Sequence, residues 1–148
     1  MSNKEDLQRF LTAQERDYDL ALREIKDGKK RSHWMWYIFP QISGLGFSDM
    51  SSYYGLKNLK EAEAYFGHPV LGARLLEITK VLLSKTSSDA TAIFGSPDDL
   101  KLRSSMTLFS RIPGISPVFQ QVLDRYYDGK IDPKTISLLE ADQASRDH

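Results

Sequence analysis

The stretch Lys30–Gly46, KRSHWMWYIFPQISGLG, holds most of the side chains that could do chemistry. Lys30 and Arg31 carry fixed positive charge. His33 has a reference pKa of about 6.5, which suits general acid or base work. Trp34, Trp36 and Tyr37 offer flat faces for stacking, and Gln41 with the Gly44–Gly46 backbone offers hydrogen bonds. Outside this stretch, Gln14, Arg74, Lys101 and Ser105 fall on otherwise apolar helical faces. Aromatic plates beside anion-binding groups suit a nucleotide or nucleotide sugar, with its base on a ring and its phosphate on arginine and backbone N–H groups. The candidate catalytic residue is therefore His33, acting in bond cleavage of a nucleotide-derived ligand. The candidate ligand-binding residues are Gln14, Arg31, Ser32, Trp34, Trp36, Gln41, Arg74, Lys101 and Ser105.

Each of these has a structural explanation as well. Trp34 and Trp36 can be core. A buried Gln14 amide can tether a loop backbone. Arg74, inside an apolar arc, can pair with a carboxylate or carbonyls, or extend its head to solvent. The alternative function is a non-enzymatic interaction module that docks through the aromatic 33–39 stretch, which requires that stretch to be partly exposed.

Several classes are excluded or disfavoured. There is no P-loop, no GxGxxG, no HExxH and no GxSxG. No cysteine and only three histidines argue against a metal centre, and no cofactor is indicated. Twenty basic and twenty acidic residues cancel, which disfavours a general nucleic-acid or membrane-surface binder and leaves an anionic small molecule as the candidate partner. The charged MSNKEDLQRF start has no apolar signal region, so a cytoplasmic location is expected.

The elements that must position these residues read as helices. Lys4–Asp27 is amphipathic, with Ser2 or Asn3 as cap and Gly28 as stop. Its apolar residues Leu7, Phe10, Leu11, Tyr18, Ala21, Leu22 and Ile25 lie within about 120° of one another, Gln14 lies in the same arc, and the charged residues opposite form a solvated face. Ser32–Phe39 is a short helix or an extended segment, ended by Pro40. Ser48 caps a helix over Asp49–Tyr54, and Asn58 caps another over Leu59–Phe66. His68-Pro69 opens a helix apolar around about two-thirds of its circumference, expected to be the most buried. Asp89 caps a turn through Phe94. Ser96-Pro97, Ser116-Pro117 and Asp132-Pro133 open three further helices, the last ending near Ala141, and residues 1–3 and 142–148 are expected to fray. The expected architecture is all-α: one globular, non-bundle domain over 1–148 with six to eight helices.

The strings KRSHWMWYIFPQISGLG, HPVLGARL and DDLKLRSSMTLF, preceded by FLTAQERDYDLAL, resemble the family called domain of unknown function 1810, over about Leu7 to Phe119. The resemblance implies a mainly helical single domain and no established activity, substrate or cofactor. Some members carry the label calpastatin-like, but calpastatin is a disordered inhibitor whereas this chain has a patterned core. A looser likeness, in size and helical class, is to the NADAR group, small helical proteins linked to ADP-ribose-type metabolites.

Leu75 lies at the centre of the apolar arc of the helix after His68-Pro69. Leu75→Ala is expected to lower stability by about 2–5 kcal/mol in chemical denaturation. A loss under about 1 kcal/mol would remove that helix from the core.

Overall fold

Helix α1, Ser2–Lys26, is the longest element, and three others pack against it. In the computed structural model, the backbone of residues 2–146 and the side chains of residues 7–143 are described. The remaining helices are α2 (Met35–Ile38), α3 (Asp49–Tyr54), α4 (Leu59–Gly67), α5 (Leu71–Ser84), α6 (Ala90–Phe94), α7 (Asp98–Ser110), α8 (Val118–Tyr127) and α9 (Pro133–Arg146). The all-α expectation holds: among the described residues there are nine helices and no strand, with one isolated parallel bridge between Ile42 and Leu56.

The local signals act largely as their chemistry suggests. Ser48, Asn58 and Asp89 each accept a hydrogen bond from a backbone N–H of the first turn of α3, α4 and α6. The 32–39 ambiguity resolves to the single turn α2, which ends before Pro40. The start of α5 differs from expectation. It lies at Leu71, and the His68 Nδ1 accepts from the N–H groups of Val70 (3.1 Å) and Leu71 (3.3 Å). The imidazole thus does the capping, and Pro69 stands before the helix. The end of α9 also differs, since the helix continues to Arg146 instead of stopping near Ala141. The cap expected at Ser2 or Asn3 falls on side chains outside the described ones, and 147–148 lie outside the described residues.

The core is built where α8 packs against both α5 and α7, with α1 and α4 closing over it. Leu71, Leu75, Ile78 and Leu82 of α5, Leu102, Met106 and Phe109 of α7 and Phe119, Val122 and Leu123 of α8 belong to one cluster, all essentially without solvent contact. Among the helices of eight or more residues, α7 and not α5 is the most enclosed, with seven of its thirteen residues buried against six of fourteen. Ser104, Ser105 and Thr107 are buried alongside its apolar residues, whereas Val70, just before α5, is 39% exposed. Hydropathy misranks α7 because two of these hydroxyls find partners inside the fold. Ser104 donates to the Asp132 carboxylate at 2.9 Å and Thr107 to the Arg103 carbonyl of its own helix at 2.8 Å, so they can be buried at little polar cost.

Arg125 of α8 ties down the end of α5. Its guanidinium donates to the carbonyls of Leu83 (2.7 Å), Ser87 (3.3 Å) and Lys85, groups the helix itself leaves unpaired. Tyr126 adds a hydrogen bond to the Leu82 carbonyl at 2.8 Å.

The α4–α5 corner depends on Gly72. A Cβ there would lie 1.8 Å from the Phe66 carbonyl oxygen, a backbone atom that cannot rotate away. Gly72→Ala is expected to cost about 3 kcal/mol or more, read as a fall in denaturation midpoint. Gly67→Ala, with nothing within 4 Å of its Cβ, should stay within about 0.5 kcal/mol of the parent.

Candidate functional site

The aromatic stretch is placed by one carboxylate. Glu24, in the last turns of α1, is 4% exposed. Its Oε1 accepts from the N–H of Arg31 (2.8 Å), the N–H of Ser32 (3.0 Å) and the indole N–H of Trp34 (2.9 Å). Its Oε2 accepts from the Ser32 hydroxyl at 2.6 Å. Burial by itself would push the Glu24 pKa up. The hydrogen bonds from Ser32, Arg31 and Trp34 outweigh it and hold the pKa at about 2. The expectation of a wholly solvated charged face on α1 is therefore corrected. At 100° per residue, Asp17, Glu24 and Ala13 extend the covered arc by about 60° on the side that receives the 30–39 stretch.

The same side carries two more polar ties. The Gln14 amide donates to the Tyr37 carbonyl (2.7 Å) and the Tyr65 hydroxyl (2.8 Å), and its oxygen faces an Arg74 N–H at 3.4 Å. Tyr37 donates to Asp17, which also accepts from Arg16 at 3.1 Å. Burial, then the Asp17 carboxylate, pushes the Tyr37 hydroxyl up to about 12, so it remains a neutral donor. Gln14 thus serves as the tether to a loop backbone. Arg74 is half-buried with its guanidinium 5.2 Å from the Tyr18 ring centroid.

Beyond α2, the chain from Ile42 to Leu56 forms a closed loop around α3. Its ends are joined by Ser43 N–H to Leu56 O (2.7 Å) and Leu56 N–H to Gln41 O (2.9 Å). Gly55 makes this closure possible, since a Cβ there would meet Ser43 Oγ at 2.4 Å. Arg9 of α1 clamps the loop from below, donating to the carbonyls of Tyr53 (2.7 Å) and Gly55 (3.2 Å). Between this loop, Trp36 and α7 lies an open cleft of about 310 Å³, a size at the lower end of ligand pockets. Trp36, Gln41, Leu45, Phe47, Ser51, Tyr54 and Lys101 are among its lining residues.

Charge at the cleft is unevenly shared. Asp98 pairs with Lys30 at 2.8 Å through Oδ2 and with Lys101 at 3.3 Å through Oδ1. Lys30 is held deep, its side chain 6% exposed, and donates as well to the Ser32 carbonyl. Among the described residues, Lys101 is held by Asp98 and by the face of Trp36, with its Nζ 4.6 Å from the ring centroid. Two ammonium groups therefore share one carboxylate, and the one at the cleft wall is the more loosely held. Lys101 is the one charged side chain in the cleft lining.

Of the ten residues singled out from sequence, the cleft brings together Trp36, Gln41 and Lys101. Ser32 and Trp34 are bound up in the Glu24 cluster, and Gln14 and Arg74 in the Tyr65 cluster. Arg31 is 57% exposed and lies 3.6 Å from Asp27, and His33 is exposed; neither lines the cleft. Ser105 is fully buried, and among the described residues its hydroxyl has no hydrogen-bond partner. The 33–39 stretch is not a flat exposed patch, because Trp34, Met35, Tyr37, Ile38 and Phe39 are at most 2% exposed. Sequence reasoning missed the opposite wall, Leu45, Phe47, Ser51 and Tyr54, which only loop closure brings near Trp36. Asp98, three residues before Lys101 on one helix face, reads from sequence as favourable charge at a helix N-terminus, and its pairing with the site lysines is added by the structure.

Buried polar ties to one long helix, with an open cleft beside an aromatic turn, define a helical protein of a distinct kind. A family profile described as "Protein of unknown function (DUF1810)" matches residues 4–139, and the chain belongs to that family. It is similar to the conserved hypothetical protein Rv1873 from Mycobacterium tuberculosis. That crystal structure aligns with a TM-score of 0.89 and 45% identity, covering 91% of this chain and 96% of that one. No curated protein matches the chain. Among the described residues, no helix is long and apolar enough to cross a membrane, and no group of three or more His, Asp or Glu could hold a metal ion.

Glu24 supplies a pH test. Its folded-state pKa of about 2 lies below the unfolded 4.5, so its stabilisation is complete above about pH 4.5 and is lost as pH falls towards 2. Glu24→Gln is expected to lower stability by about 2–4 kcal/mol at pH 7. Denaturation at stepped pH should show the gap to the parent narrowing below pH 4.5. A gap independent of pH would mean that Glu24 is not the charged acceptor of this cluster.

Proposed function

We propose that this protein binds a small anionic metabolite in the cleft between Trp36 and the 42–56 loop. The observation that carries the reading is the sharing of Asp98 between Lys30 and Lys101, which leaves one positive charge without its own acidic partner at the wall of a ligand-sized cleft. An incoming phosphate or carboxylate would take Lys101 from Asp98 and leave Asp98 to Lys30, so binding creates an ion pair without stranding a charge. Trp36, half-buried beside Lys101, offers an apolar plate, and Gln41 and Ser51 offer hydrogen-bonding groups.

The geometry supports binding over cleavage. Lys101 and Tyr54 are the titratable groups lining the cleft, and burial raises the Tyr54 pKa, which keeps the phenol neutral. His33 lies off the lining, so it has no direct reach to a ligand held there. A second reading, docking of another protein, draws on the exposure of Phe47 (93%), Met50 (37%) and Tyr53 (59%) around α3.

The test is calorimetric titration and thermal shift with ribose 5-phosphate. Wild type should be stabilised, by about 2.7 kcal/mol at one hundred times the dissociation constant. Lys101→Met should lose most of that shift while its ligand-free melting temperature stays close to the parent's. Equal shifts in both proteins would remove Lys101 from the site, and no shift with a broad set of phosphates and carboxylates would turn the reading to the docking surface.

A further inference from the structure

Phe47 lines the cleft and yet is 93% exposed, the most exposed large apolar side chain among the described residues. A phenyl ring in this state gains from any flat surface that covers it. Its position is confined on both sides. Leu45 packs against the core two residues earlier, and Ser48 is fixed one residue later as the N-cap of α3, accepting from the Ser51 N–H at 3.1 Å. Phe47 and Gly46 are thus the free links between two anchored points, and rotation about the Phe47 side-chain bonds swings the ring without moving the loop.

Trp36 is the other aromatic group that lines the cleft beside the charge, and its indole face is occupied by the Lys101 ammonium. An acid group that draws Lys101 away uncovers that face. A ring carried on the same ligand would then meet indole on one side and, after side-chain rotation, phenyl on the other. Resting on the proposed anion site, we infer that Trp36 and Phe47 form an aromatic clamp, and that the ligand is a flat unsaturated ring bearing one phosphate or carboxylate, of the nucleoside monophosphate class. The cleft volume of about 310 Å³ suits a ligand of that size better than a dinucleotide. A clamp also explains why a phenylalanine with no core contact stands at the mouth, which an anion site alone does not require.

The experiment compares uridine 5′-monophosphate with ribose 5-phosphate, probes of like charge that differ in the ring, by calorimetric titration of the full chain. Wild type should bind the ring-bearing probe about tenfold or more tightly, within what base–aromatic stacking supplies. Phe47→Ala should cut that ratio severalfold, to what Trp36 alone supplies, with ribose 5-phosphate affinity unchanged, and Phe47→Tyr should restore it. Because Phe47 is almost wholly solvated, melting temperatures should be the same in all three proteins. A ratio near one in wild type, or a ratio unchanged by Phe47→Ala, overturns the clamp while leaving the anion site standing. Failure of both probes to bind wild type overturns the clamp together with the anion site.

Discussion

The Glu24 carboxylate is the constraint from which the local order of this protein follows. A buried carboxylate is costly unless its lone pairs are taken, and here four donors take them. Three of those donors belong to the two consecutive residues Arg31 and Ser32, so the chain leaving α1 must fold back over that helix within a few residues. The fourth is the Trp34 indole, which fixes where the largest side chain of the core enters. Once Trp34 is set, the turn of α2 can place Trp36 only on the other side, at the edge of the core, where it becomes a wall of the cleft.

A second constraint acts through charge. Lys30 leaves the Glu24 turn and reaches Asp98 at the start of α7, so the turn that places the aromatic stretch also places the helix bearing Lys101. Asp98 lies in the first turn of α7, where the helix dipole also favours a carboxylate. With one acid and two lysines, the pairing that is buried is the one that persists. Lys30 is enclosed and doubly hydrogen-bonded, whereas Lys101 is a quarter exposed and free to change partner. The difference in burial, not in residue type, separates a structural lysine from one available to a ligand.

Most of the fold was legible in the sequence because local chemistry and tertiary structure agree. The caps Ser48, Asn58 and Asp89, the breaks at Gly28 and Pro40 and the helical periodicity of α1 all act over a few residues. The site was less legible. Trp36, Gln41 and Lys101 stood out as polar or aromatic side chains with work to do, but so did Trp34, Ser32, Gln14 and Arg74, which turn out to be engaged in holding the aromatic stretch. Composition could not separate the two sets, because a buried polar cluster and a binding site draw on the same residue types. What separates them is satisfaction: the Glu24 and Gln14 groups have their partners within the protein. The ranking of α5 over α7 failed for a related reason, since hydropathy counts a hydroxyl as solvent-seeking even when the fold satisfies it, as it does Ser104 and Thr107.

This distribution of satisfied groups also determines where the molecule can move. The Trp36 wall is backed by the Glu24 cluster, by Gln14 on the Tyr37 carbonyl and by the interlocked rings of Trp34, Phe39 and Phe94. The floor of the facing loop is fixed by Arg9 and by the Ile42–Leu56 bridge. Neither can shift without breaking several hydrogen bonds at once. The mouth is held more lightly: α3 buries none of its residues, and Phe47 touches solvent over most of its surface. A binding site needs both properties, a preorganised surface that loses little entropy on binding and an adaptable edge that closes over what has bound. In this fold they fall on opposite sides of one cleft, with Lys101 between them as the charge that an incoming acid would meet first.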